Sequence, residues 1–81
     1  MNGSPTRVLV SGGGSGIGRA VCDIAAASGA RVVALDREVS TVDPRAATAV
    51  AVDVRDEAAV VAAVSRAVEL IAGPPDAVVC A

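Results

Sequence analysis

The stretch SGGGSGIGRA, Ser11 to Ala20, carries five of the eight glycines in the chain. It follows the apolar run RVLVS, Arg7 to Ser11, and leads into a segment with helical apolar spacing. Glycine weakens both helices and strands, so a cluster at such a junction marks a turn that bends sharply or approaches something closely. A strand, a glycine-rich turn and a helix N-terminus together form a phosphate-binding device. The N–H groups of a helix's first turn find no acceptor within the helix, and the helix dipole adds partial positive charge there.

On the C-terminal side of the turn, Ile17, Ala20, Val21, Ile24 and Ala25 recur at the spacing of one helical face. Ser28-Gly29 supplies a helix stop. Arg31–Asp36 (RVVALD) reads as a second strand and Ala49–Val54 (AVAVDV) as a third. The link between them contains Pro44, which argues for a loop with at most a short helical turn. Asp56–Ile71 reads as a second helix, with Val60, Val64, Ala67, Val68 and Ile71 on its apolar stripe and Gly73-Pro74-Pro75 as its stop. Asp76–Ala81 (DAVVCA) reads as a fourth strand. Apolar strands separated by crossovers too long for hairpins predict a parallel sheet. The expected architecture is α/β, the first half of a doubly wound fold with strand order 3-2-1-4.

Composition narrows the function classes. The chain has 81 residues, 53% hydrophobic, mostly Ala and Val, with no Phe, Tyr or Trp. That is one small domain or part of a larger one, with little side-chain area to bury. Its seven basic residues are all Arg and are scattered, and the net charge is −2, so no nucleic-acid footprint or polybasic membrane patch is expected. No run is long and apolar enough to span a bilayer, and no signal-peptide core is present at the N-terminus, so a cytoplasmic location is expected. Cys22 and Cys80 lie far apart in apolar surroundings without metal-ligand spacing, and the chain has no His. Both are expected to be buried thiols, with no metal bound.

Spacing sorts the glycines. The pattern G-x-G-x-x-G finds no register, because Ile17 stands where the third glycine would fall. The P-loop pattern nearly fits from Gly13 to Gly18 but continues Arg19-Ala20, without the Lys and the hydroxyl that the phosphates and Mg²⁺ require. Ser11-Gly12-x-x-x-Gly16-Ile17-Gly18 instead resembles the T-G-x-x-x-G-I-G fingerprint of the short-chain dehydrogenases/reductases, with Ser11 keeping the hydroxyl of the usual Thr. On that reading Gly12, Gly16 and Gly18 matter, and Gly13 and Gly14 are permissive filler.

The resemblance runs from Arg7 to Ala81 and implies a Rossmann-type dinucleotide-binding domain, present in part over residues 1–81. Asp36 ends the second strand about 20 residues beyond the glycines, where an acidic side chain accepts from the adenosine ribose hydroxyls. That carboxylate would repel the extra phosphate of NADP, and Ser15 is not basic, so NAD is favoured over NADP, although Arg37 could reach toward a 2′-phosphate. Asp53-Val54 resembles the family's Asp-Val pair, implying that the Asp53 carboxylate and the Val54 N–H meet the adenine. As plain residues, they are also an N-cap or a helix-dipole partner. Asp76–Ala81 resembles the family's D-x-L-V-N-N-A-G strand, with Cys80 and Ala81 in the two Asn positions. Backbone contacts there would survive the change and the Asn side-chain bonds would not.

The family's proton relay uses a Tyr, a Lys four residues later and a Ser. This chain contains no Tyr and no Lys, and its serines lie in the cofactor half or its linkers. The expectation is therefore a fragment, poorly folded on its own, from a dehydrogenase that moves hydride between a nicotinamide cofactor and a secondary alcohol or carbonyl. The family resemblance also implies a homo-oligomer for the full protein. A non-catalytic dinucleotide-binding or sensor module, or an inactive truncated product, stands as the alternative.

Overall fold

A computed structural model describes residues 6–14 and 16–81. The first strand, β1 (Arg7–Ser11), leads through the glycine turn into helix α1 (Gly16–Ala27). Strand β2 (Arg31–Asp36) is followed by a single 3₁₀ turn at Val39–Thr41 and then by β3 (Thr48–Ala51). Helix α2 (Glu57–Ile71) and strand β4 (Ala77–Cys80) complete the fold. All neighbouring strands pair in parallel, in the order β3-β2-β1-β4. This is the Rossmann-like first half of a doubly wound sheet, in the strand order expected from the crossovers.

The sheet is covered on both faces, and strand alternation divides its side chains between two cores. Val8, Val10, Val32 and Ala34 face α1 and pack with Cys22, Val42 and Ala47. Leu9, Val33 and Leu35 face α2 and pack with Val52, Ala63, Ala67 and Ile71. A strand buried on both faces needs no polar alternation, which is why β1 and β2 read as continuous apolar runs.

Of the stripe read from the spacing of α2, Ala67 and Ile71 are buried and Val60, Val64 and Val68 are half-buried, while Ala63, outside that stripe, is the third buried residue of the helix. Asp56 is its N-cap, its side chain accepting from the Ala59 N–H at 3.1 Å. The guanidinium of Arg7 donates to the Ile71 carbonyl at the far end (3.1 Å), placing positive charge where the helix dipole is negative. Asp76 ties the starts of β1 and β4 together. One carboxylate oxygen accepts from the Thr6 N–H and hydroxyl and from the Arg7 N–H at 2.7–3.0 Å, while the Asp76 N–H donates to the Arg7 carbonyl.

Three expectations need correction. α1 does not bury the face that holds its largest side chains, since Ile17 and Ile24 are 75% and 72% exposed. Its buried residues are Gly18 and Cys22, with Val21 and Ala25 packed beside them. The reason is steric: a Cβ at Gly18 would run into the carbonyl oxygen of Gly12, so the smallest residue sets the face of closest approach. Cys22 is buried, and burial pushes its thiol pKa up, but Cys80 is exposed. Cys80 pairs in register with Ser11, whereas α2 packs on β2 and β3 and leaves that end of β4 uncovered. Strand β3 stops at Ala51, because the chain turns at Asp53, whose carbonyl accepts from the Asp56 N–H. Among the described residues, no helix is long and apolar enough to cross a membrane.

The glycine turn gives a paired stability prediction. A Cβ at Gly13 would press into the Cβ of Ala34, whereas one at Gly16 would meet nothing within 4 Å. Gly13→Ala is expected to destabilise the full-length gene product by about 1–3 kcal/mol through overpacking. Gly16→Ala is expected to leave stability unchanged or slightly raised. Guanidinium denaturation midpoints for the two variants check this.

Candidate functional site

The four strands point their C-terminal ends the same way, and β1 lies between β2 on one side and β4 on the other. A parallel sheet opens a crevice at such a switch in connection direction. The glycine turn sits at this edge. Gly12 has φ = 75°, a conformation that an L side chain rarely adopts. Its N–H donates to the Leu35 carbonyl at 2.7 Å, and a Cβ there would lie 2.9 Å from the Ala81 carbonyl oxygen. The Ala81 N–H in turn donates to the Ser11 carbonyl at 3.0 Å. The end of β4 thus backs directly onto the turn.

Gly13 and Gly14 are not filler. Gly13 is buried over Ala34, with the Cys22 sulfur 3.4 Å from where its Cβ would stand. A Cβ at Gly14 would collide with the Thr41 hydroxyl and come within 3.0 Å of an Asp36 oxygen. Among the glycines of this turn, Gly16 alone looks into open space. Ser15, the remaining residue expected in the turn, lies outside the described residues.

Asp36 stands at the end of β2 as the sequence requires, and its carboxylate is already engaged. One oxygen accepts from the Glu38 N–H at 2.8 Å and the other from the Gly14 N–H at 2.9 Å. These two backbone bonds hold its carboxyl below the usual carboxylate range. A carboxylate offers about four acceptor positions, so Asp36 keeps acceptor capacity beyond these two bonds.

Asp53 follows β3 and is gripped by Arg55. Oδ1 accepts from the Arg55 N–H and Nε, both at 3.0 Å, and Oδ2 accepts from Nη2 at 2.8 Å. This bidentate contact pulls the Asp53 pKa down to about 2. Oδ2 keeps one acceptor position.

A cleft of about 410 Å³ brings these groups together. Of the residues expected from sequence, Ser11, Gly12, Asp36, Arg37, Asp53, Val54 and Ala81 line it. Gly16, Ile17, Gly18 and Cys80 do not. Leu35, Glu38, Val52 and Arg55 line it without having been expected. The signal for Arg55 was present in Asp53-Val54-Arg55, because an Asp two residues before an Arg readily closes a local turn and ion pair. Charged groups around the cleft are Asp36, Glu38 and Asp53 against Arg37 and Arg55, an acidic excess of one.

Comparison with known proteins gives the same picture. A family model described as short chain dehydrogenase matches residues 6–80. Galactitol 2-dehydrogenase (L-tagatose-forming) of Cereibacter sphaeroides is 42% identical over 65 residues, covering 72% of this chain and 26% of that protein. The crystal structure of 3-ketoacyl-(acyl-carrier-protein) reductase from Brucella melitensis complexed with NADH superposes with a TM-score of 0.77 at 35% identity. That match covers 85% of this chain and 31% of the reductase. A structure named as a ribose-5-phosphate isomerase from Brucella melitensis 16M matches with a TM-score of 0.83 at 31% identity, over 99% of this chain and 32% of its own. The chain thus spans about a quarter to a third of the length of these relatives.

The Asp53–Arg55 pair sets a pH prediction. The folded-state pKa of Asp53 is below its ordinary value of 3.8, so the folded chain stays ionised where the unfolded one takes up a proton. The resulting stabilisation is complete above that ordinary value and is lost as pH falls toward about 2. A carbon-13 titration of the Asp53 carboxyl is expected to show a midpoint near 2, moving up toward 3.8 in Arg55→Gln. An unchanged midpoint in the variant would contradict the grip described above.

Proposed function

The chain belongs to the short-chain dehydrogenase family, and from that premise we propose that residues 1–81 form the NAD-binding part of an oxidoreductase. Its reaction is hydride transfer between the nicotinamide and a secondary alcohol or carbonyl. The observation that carries this reading is the meeting of the start of the family's glycine turn, Ser11 and Gly12, with Asp36 at one cleft, at the C-terminal edge of a parallel sheet. The space beside Gly16, which a Cβ would enter without touching protein, suits the close approach of a pyrophosphate.

In this reading the turn Ser11–Gly18, including Gly12, Ser15, Gly16, Ile17 and Gly18, holds the pyrophosphate. Asp36 accepts from the ribose hydroxyls with its remaining acceptor capacity. Asp53 and Val54 meet the adenine, with Oδ2 of Asp53 as the acceptor for its amino group. The backbone at Cys80 and Ala81 lies along the cofactor beyond the turn. The bound cofactor supplies the hydride chemistry.

The choice of NAD over NADP rests on charge. A 2′-phosphate would enter a cleft with an acidic excess, next to an Asp36 carboxylate that stays ionised. Arg37 lines the same cleft and is the residue that would oppose this preference. The class of substrate is supported by relatives named for oxidising a polyol and for reducing a ketoacyl group. With no Tyr and no Lys, the 81 residues themselves contribute binding and not the proton relay. The match to a structure named as an isomerase is a reason to test binding first, because a shared fold does not carry a reaction with it.

Titration calorimetry on the full-length gene product is expected to give tighter binding of NAD than of NADP. Asp36→Ala is expected to weaken NAD about 10- to 100-fold, the loss of hydrogen bonds to a charged acceptor. Equal affinity for the two cofactors would overturn the NAD assignment. Absence of binding by either would overturn the dinucleotide reading.

A further inference from the structure

The irregular segment after β2 closes a ring of contacts with the glycine turn. Asp36 accepts from the Gly14 N–H at 2.9 Å and from the Glu38 N–H at 2.8 Å. The Glu38 carbonyl accepts from the Thr41 hydroxyl at 2.7 Å. That hydroxyl stands where a Cβ on Gly14 would be, which returns the ring to the turn. Val42 anchors the ring from below. It is 6% exposed, packed in the α1-side core, and its N–H donates to Val39 at 3.1 Å. Thr41 therefore sits on a segment pinned to the core, against the one backbone position of the turn that Asp36 also grips.

Resting on the reading that the turn holds a pyrophosphate, we propose that Thr41 is a positioning residue for that turn. Thr41 does not line the cofactor cleft. It acts through Gly14 by fixing how far the turn can rise toward the 3₁₀ segment. Two contacts hold Gly14: Asp36 draws its N–H toward β2, and Thr41 blocks its Cα face. Loss of the Thr41 contact leaves Gly14 held by the Asp36 hydrogen bond without its steric stop, so the turn is less firmly set for phosphate oxygens. Preorganised donors bind more tightly than donors that must be ordered on binding. Thr41 bonds the Glu38 carbonyl and not Asp36 itself, so the larger effect is expected on the phosphate half of the ligand.

The test is binding of NAD, ADP and adenosine to the full-length gene product. NAD and ADP are measured by calorimetry, and adenosine by NMR shift titration. Thr41→Ala is expected to weaken NAD and ADP about three- to tenfold, the effect of one lost hydrogen bond and contact, and to leave adenosine within about twofold. Thr41→Ser keeps the hydroxyl and is expected to retain wild-type affinity for all three. Gly14→Ala is expected to weaken NAD and ADP strongly, and Thr41→Ala is expected to recover part of that loss by removing the atom the new methyl meets. A strictly additive double mutant would overturn the proposal, as would an equal fall for ADP and adenosine in Thr41→Ala. Either result leaves the dinucleotide reading intact if the wild type binds NAD. If the wild type binds neither NAD nor ADP, both the reading and the proposal fall.

Discussion

The contact on which the rest depends is that between Gly12 and Gly18. The carbonyl oxygen of Gly12 occupies the space where a side chain at Gly18 would begin. Helix α1 can therefore pack directly against the turn that follows β1. This closeness brings Cys22, one turn further on, down onto Val8, Val10 and Ala34. It also sets the helix against Gly12, which lines the cleft together with Asp36 and Ala81. Moving the helix outward by a methyl group would loosen the α1-side core and release the Gly12 backbone at the cleft together.

The same constraint explains which parts of the fold were legible in the sequence. β1 and β2 were readable to the residue, because strands buried on both faces leave continuous apolar runs, and glycine or a polar residue bounds them. The strand order followed from crossover length, and α2 from its period. The face of α1 was not readable. Hydrophobic spacing assigns a helix face by its largest apolar residues, and here closeness of backbone decided it, so Ile17 and Ile24 point away. Gly13 and Gly14 were misjudged for a related reason. A sequence motif marks glycines that touch a ligand, whereas these two are required by Ala34 and Thr41, residues 20 or more positions away that no local pattern connects to them.

Site legibility has a similar boundary. Asp36 could be located from its strand end and Asp53 from its resemblance to the family's Asp-Val pair, and both stand at the cleft. Their partners could not. The Gly14 N–H reaches Asp36 across 22 residues of sequence, and only the fold brings the two together. Arg55 was within reach of local reasoning, being two residues from Asp53, but a motif centred on Asp53-Val54 stops one residue short of it.

Asp36, Asp53 and Asp76 share a physical role that follows from the composition. With no aromatic residue and a core mostly of Ala and Val, the chain has little side-chain bulk with which to fix loop positions. Carboxylates take over that work. Each lies beside a strand end and accepts backbone N–H groups: Asp76 from Thr6 and Arg7, Asp36 from Gly14 and Glu38, Asp53 from Arg55. Asp76 makes its bonds at the edge of the sheet away from the cleft, where they only join β1 to β4. Asp36 and Asp53 make theirs at the cleft, and each carboxylate retains acceptor capacity after satisfying its own backbone. A carboxylate already fixed by ordering its loop would not have to be immobilised if a ligand bound there, because that entropy is spent during folding. This is how a chain built from small residues can present a site with fixed geometry.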